Sequence, residues 1–179
     1  KVSAISSDVL LALSKEGVAI VPIVNGSNYV RANLIGVETL GANTFQLLSK
    51  ISDQLLQLNA SFTAIKDEQL SALSSCKQLK QLELNGTSIT NKGLASLDAF
   101  ENLEILSITQ TKATAEGISS LTKLKNLKKV YLYKTSFTNA AIAQLKQKMP
   151  GLRIDTGGYK VPILVTDTTE AKAPEIKTN

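Results

Sequence analysis

The chain repeats itself every 24 residues. Leu79, Leu103 and Leu127 are equivalent under that step. Each is followed three positions on by Leu82, Leu106 or Val130, and two further on by Leu84, Ile108 or Leu132. One step earlier the same phase holds Leu55, Leu58 and Ala60. The second half of each unit repeats as firmly, with Leu70, Leu94, Ile118 and Ile142, then Leu73, Leu97, Leu121 and Leu145. Such a period is restrictive because no single unit can bury its apolar face alone. Successive units must stack and share one continuous core.

Within a unit the spacing of apolar residues changes partway. In "LKQLELNGT" Leu82 and Leu84 alternate with Glu83 and Asn85, the period of a strand with one buried face. In "TNKGLASL" the spacing becomes three, as on one face of a helical turn. Thr90, Thr114 and Thr138 stand just before that turn, where a hydroxyl can cap free N–H groups. A further column, Thr63, Thr87, Thr111 and Thr135, places a hydroxyl where it can bridge backbone groups of the turn. One strand and one helix in this length fall within the leucine-rich-repeat range. The expected fold is therefore an α/β leucine-rich-repeat solenoid, a right-handed β-α superhelix of about five to six repeats with a parallel concave sheet. With four Phe, four Tyr and no Trp, its core must be built mainly of aliphatic side chains.

Away from the four clean units the register loosens. Phe45 and Leu48 precede Leu70 and Leu73 by 25, which predicts a further unit over about Val30–Ile51. Residues 1–29 read as an N-terminal cap, with a short apolar helix around Val9–Leu13 and the strand-like "VAIVPIV". The repeats are expected over 30–158, ending in a strand within "PGLRIDTGG" and a turn at Gly157-Gly158. Residues 159–166, including "VPILV", are expected to cover the open C-terminal end, and 167–179 to form a flexible tail. Because Lys1 stands first, the chain reads as a processed form or an excised piece.

The absence of histidine removes Ser-His-Asp and Cys-His catalysis and His-ligated zinc from consideration. The lone Cys76 lies 24 before Phe100 and 48 before Leu124, which predicts a buried core thiol rather than a nucleophile. Asp67, Glu68 and Glu116 fall at helix starts, where carboxylates suit the helix dipole. Sequons at Asn25, Asn59 and Asn85 are read as incidental. No glycine-rich phosphate cradle and no close acid–acid pair is apparent. A non-catalytic binding module without cofactor is the expectation.

Strand positions alternating with the buried leucines point to the concave face. They run Gln57, Asn59, Ser61; then Gln81, Glu83, Asn85; then Ile105, Ser107, Thr109; then Lys129, Tyr131, Tyr133; then Arg153 and Asp155. The expected partner-binding set is Glu83, Asn85, Ile105, Ser107, Lys129, Tyr131, Tyr133 and Arg153, since Tyr and Arg combine contact area with a polar tip. From Lys112 to Lys160 ten basic residues face only Glu116 and Asp155, a net of +8, while the whole chain carries +5. That asymmetry can steer an acidic partner. Few aromatics interleave with the lysines and no nucleic-acid motif is present, so the expected partner is a protein, and the expected state a monomer.

The units "LELNGTSITNKGLASLDAFENL" and "VYLYKTSFTNAAIAQLKQKMPGLRIDTGG" resemble a class of bacterial leucine-rich repeats written loosely as LxxLxLxxTxITDxGLxxL. This class is similar to C-terminal repeat modules of membrane-anchored bacterial proteins that carry a c-type cytochrome domain. The resemblance implies a cell-envelope or periplasmic location and, as an alternative role, an accessory domain of an electron-transfer protein. Asn91, Ala115 and Asn139 stand where the pattern has Asp, and no CxxCH haem site occurs in the chain.

Overall fold

The structure, a computed structural model, describes residues 2–158; the expected end segment 159–166 and tail 167–179 lie outside the described residues. Seven strands form one sheet in chain order: β1 (Ala19–Pro22), β2 (Val30–Asn33), β3 (Leu55–Asn59), β4 (Gln81–Glu83), β5 (Ile105–Ser107), β6 (Lys129–Tyr131) and β7 (Arg153–Asp155). β1 runs antiparallel to β2, and every later neighbour is parallel. Parallel neighbours need a crossover. It is supplied by α2 (Ala42–Lys50), α3 (Asp67–Ser71), α4 (Asn91–Ala95), α5 (Ile118–Leu121) and α6 (Asn139–Lys148), while α1 (Ser7–Lys15) precedes the sheet. The protein is an α/β leucine-rich-repeat solenoid.

The repeat seen in the sequence is the register of the sheet. Gln57, Gln81, Ile105, Lys129 and Arg153 stand side by side on successive strands, each 24 from the last. Only between β2 and β3 does the register shift, pairing Val30 with Leu55 but Arg31 with Gln57. The helices are shorter than the apolar spacing suggests. α4 passes into a 3-10 turn at Ser96–Ala99, and α5 follows one at Ala115–Gly117. The N-terminal segment holds α1 and β1, with Leu13 buried against the first units.

Each apolar column is a stack of buried side chains. Leu58, Leu82, Leu106 and Val130 form one stack, Leu73, Leu97, Leu121 and Leu145 another. At about 1.5–3 kcal/mol per enclosed aliphatic side chain, these columns dominate stability. Cys76, Phe100 and Leu124 form a third stack, and burial pushes the Cys76 thiol up to about 11. Because the thiolate is the reactive form, native Cys76 should resist a thiol reagent at pH 8 and react as fast as a free thiol once urea unfolds the chain. Rapid labelling under native conditions would show that the third stack opens locally.

Polar columns hold the turns. The hydroxyls of Thr63, Thr87, Thr111 and Thr135 donate to the carbonyls of Ala60, Leu84, Ile108 and Leu132 at 2.7, 2.6, 2.7 and 2.6 Å. These bonds satisfy carbonyls that the chain leaves as it exits each strand. The residue before each Thr is left-handed: Phe62 (φ 58), Gly86 (φ 65), Gln110 (φ 56) and Lys134 (φ 53). The bend is therefore a property of every turn rather than of glycine.

The expected caps form. Thr90 Oγ1 accepts from the Lys92 N–H, Thr114 Oγ1 from Glu116 and Thr138 Oγ1 from Ala141, at 3.1, 3.4 and 3.2 Å. What the sequence did not reveal is that two of these caps, Thr90 and Thr114, are themselves held by the preceding turn. Asp67 accepts from the Thr90 N–H at 3.0 Å and from its hydroxyl at 2.6 Å. Asn91 accepts from the Thr114 N–H at 2.9 Å and donates to its hydroxyl at 2.7 Å. Asn91 thus does the work of the Asp in the repeat pattern. Ala115 has no such group; what persists there is the backbone link between turns, Ser136 N–H donating to Ala113 O at 3.2 Å, as Lys112 N–H donates to Ile89 O at 3.0 Å one unit earlier.

Lysine–carboxylate pairs also link neighbouring turns: Glu68–Lys92, Lys77–Glu101, and Glu104 between Lys80 and Lys128. Lys128 and Lys80 hold the Glu104 carboxyl below its ordinary range. Apart from the half-buried Glu104 carboxylate these groups are solvent-exposed, so the pairs contribute little to stability.

Candidate functional site

The concave sheet presents two strand rows. The first is Arg31, Gln57, Gln81, Ile105, Lys129 and Arg153; the second is Asn33, Asn59, Glu83, Ser107, Tyr131 and Asp155. Beyond the strand ends lie Ser61, Asn85, Thr109 and Tyr133. All eight expected site residues lie on or directly beyond strands β4–β7.

They do not share one environment. On the N-terminal two-thirds of the face, polar side chains are committed to one another. Arg31 Nε donates to Gln57 Oε1 at 2.6 Å, and Gln81 Nε2 donates to Glu83 Oε1 at 2.7 Å. A ladder then crosses three turns. Asn85 Nδ2 donates to Ser61 Oγ at 3.1 Å, while Asn85 Oδ1 accepts from the Ser107 hydroxyl and from the Thr109 N–H. Ser107 is consequently only 8% exposed. It was expected to be presented to a partner; instead it is buried by its own ladder. Small polar side chains on adjacent parallel strands, about 4.8 Å apart, reach each other across the gap.

The C-terminal third carries longer side chains, and its contacts differ. Lys129 Nζ lies 4.3 Å from the Tyr131 ring centre, and Lys134 Nζ lies 5.4 Å from that of Tyr133. Among the described residues, the side chains of Lys129, Tyr131, Tyr133 and Arg153 make no hydrogen bond or ion pair. Tyr133 is 43% exposed. Next to Tyr131 a cavity of about 230 Å³ is lined by Gln81, Glu83, Ile105, Ser107 and Tyr131. Ile105 supplies its apolar wall.

Two exposed aromatics, Tyr29 and Phe62, fall outside the expected site. Phe62 is 69% exposed, and its ring lies over Gly86, where a Cβ would collide with it. Phe62 stands 24 before Gly86, a place in this column without a side chain. Among the described residues, no group of three or more His, Cys, Asp or Glu is placed to hold a metal ion. No described helix is long and apolar enough to cross a membrane.

No family model matches the chain, and no curated protein does. Solved structures that resemble it include internalin C2 of Listeria monocytogenes, at 22% identity and a TM-score of 0.49 over 62% of this chain. A second internalin of that organism is 18% identical with a TM-score of 0.43 over 64% of the chain. A leucine-rich-repeat protein of Leptospira interrogans is 18% identical with a TM-score of 0.48 over 65%. The chain spans 45%, 38% and 28% of those three proteins.

Proposed function

We propose that the protein is a binding module that holds a protein partner at the C-terminal third of its concave face. The observation that carries this reading is the contrast in hydrogen-bonding commitment along one continuous sheet. Among the described residues the side chains of Lys129, Tyr131, Tyr133 and Arg153 make no hydrogen bond, and Lys129 meets only the Tyr131 ring, whereas Asn85 and Ser107 spend their polar groups on the ladder. Glu83 and Ile105 line the adjoining cavity, which at about 230 Å³ is smaller than a typical small-molecule pocket and suits a single partner side chain. Tyr and Arg are the residue types that anchor interfaces, because a rigid or planar group gives area at small entropic cost. The repeat resemblance supports, within the same reading, a place in the cell envelope.

Replacing Tyr131 and Tyr133 together by alanine should weaken partner capture about 10- to 100-fold, the range of an anchoring pair, while the urea midpoint stays nearly unchanged. A control in which Glu68 and Lys92, an exposed pair between α3 and α4, are replaced by alanine should retain capture. Equal capture by the tyrosine double variant and the wild type would sink the concave-face assignment.

A further inference from the structure

Two asparagines of the chain are followed directly by glycine, in Val24-Asn25-Gly26-Ser27 and in Leu84-Asn85-Gly86-Thr87. Such an asparagine sets an electrophile, its side-chain carbonyl carbon, within reach of a nucleophile, the nitrogen of the next peptide. Glycine has no Cβ to crowd the ring that results, and its backbone bends into it most freely. The two stretches are alike in sequence, yet the fold treats them oppositely. We propose that Asn25 is a site of spontaneous covalent modification to aspartate and isoaspartate, and that the concave ladder keeps Asn85 from the same reaction.

The chemistry needs only water. The Gly26 nitrogen gives its proton to water and attacks Asn25 Cγ, so a C–N bond forms there. The bond from Cγ to the side-chain nitrogen breaks, and that nitrogen takes up a proton and leaves as ammonia. A cyclic imide remains, and water adds to one of its two carbonyl carbons. Opening at Cγ gives aspartate; opening at the main-chain carbon gives isoaspartate, in which the backbone runs through the former side chain. Either product adds a negative charge at neutral pH.

The first site is open. Asn25 is exposed in the loop between β1 and β2. Among the described residues, neither its side chain nor the Gly26 N–H makes a hydrogen bond. Nothing lies within 4 Å of where a Cβ on Gly26 (φ 76) would stand. The turn is closed across these two residues by the Ser27 N–H, which donates to Val24 O at 3.0 Å. A loop tip held this lightly opens at small cost in free energy, so the reactive geometry is visited often.

At the second site the groups that must react are already engaged. The Gly86 N–H, the nucleophile's own proton, donates to Thr109 O at 2.8 Å, and the Asn85 carbonyl accepts from the Phe62 N–H at 2.7 Å. The Asn85 side chain donates to Ser61 Oγ at 3.1 Å and accepts from the Ser107 hydroxyl and the Thr109 N–H. For Asn85 Cγ to reach the Gly86 nitrogen, the side chain must leave the ladder and the Gly86 N–H must leave Thr109. The Phe62 ring, lying over Gly86, restricts how that peptide can turn. This protection matters to the concave face. An aspartate at 85 has no N–H to donate to Ser61, and it would place a second carboxylate two residues along from Glu83.

The test compares the full chain folded and in urea. After incubation at mildly alkaline pH, peptide mapping reads the mass gain of amide-to-acid conversion at each asparagine, and the isoaspartate content identifies the imide route. In urea the two sites should react at similar rates, because their flanking residues are alike. In the folded protein Asn25 should react at least about tenfold faster than Asn85, as expected where a bonded cluster must open first. Replacing Ser61→Ala and Ser107→Ala together should speed Asn85 and leave Asn25 unchanged. Equal rates at the two sites in the folded protein overturn the proposal, whether both are fast or both slow. A difference that persists undiminished in urea overturns it too, because the cause would then lie in the local sequence. The wild-type comparison needs no substitution, so a ladder variant that misfolds leaves the answer intact.

Discussion

Phe100→Ala should lower the free energy of unfolding by about 3–5 kcal/mol, the largest single effect expected in this chain. Phe100 is among the largest fully buried side chains, and it stands in the stack between Cys76 and Leu124 of the neighbouring turns. Truncation removes the ring from contact with both neighbours and leaves a void that the flanking turns cannot fill without moving their strands. A solenoid is held by nearest-neighbour interfaces, so a defect in one turn weakens two of them at once. Urea unfolding measures the loss, and Cys76 reports its place: in the variant its thiol should label at lower urea than in the wild type. Phe62→Ala makes the comparison within one residue type. Phe62 is exposed and its left-handed backbone is no better suited to alanine, so its removal should move stability by no more than about 0.5 kcal/mol. A Phe100→Ala loss below about 1 kcal/mol would mean that the stack does not carry the interface between these turns.

Gly93→Ala should cost about 2 kcal/mol, although intrinsic helix propensity argues for a gain of up to about 1 kcal/mol at this site in α4. The opposing effect is steric and specific. A Cβ at 93 would meet the Asp67 carboxylate and come within 2.9 Å of Ile89 Cγ2. Asp67 cannot withdraw freely, because it accepts from both the N–H and the hydroxyl of Thr90. Charge-assisted bonds of this kind contribute about 1.5–3 kcal/mol, so their loss outweighs the propensity gain. The sign can be checked by a double-mutant cycle. In an Asp67→Ala background the obstruction at 93 is reduced to Ile89, so the second substitution should cost far less than it does alone. Additive costs would show that Asp67 and Gly93 act separately, and that the carboxylate is not what forbids a side chain there.

The expected concave residues divide along the same line between sequence and structure. The alternation of strand residues correctly placed Lys129, Tyr131 and Arg153 in register across β6 and β7. It could not distinguish Asn85 and Ser107 from them, because alternation reports which face a side chain occupies and not what it touches there. The ladder from Ser61 to Thr109 joins residues 22–24 apart on different turns, and only their lateral closeness makes it possible. Phe62 was overlooked for a related reason: a left-handed residue at a strand exit follows neither the strand period nor the helical one.

By itself the sequence determined the stack. A step of 24 residues, with leucine at fixed phases and threonine at two others, dictates parallel strands in one register, buried columns, capped turns and a bridged carbonyl at each exit. These are properties common to every turn, and a period records what its units share. Only the tertiary structure decided what differs between turns. It showed that Asp67 and Asn91 serve the next unit's cap rather than their own helix, and that β1 reverses direction to finish the sheet. It also showed that polar side chains of the concave face bond one another at one end, whereas at the other Lys129 lies against the Tyr131 ring and Lys134 against that of Tyr133. Each of these depends on distances of a few ångströms between residues about 24 apart, set by the packing of one turn on the next.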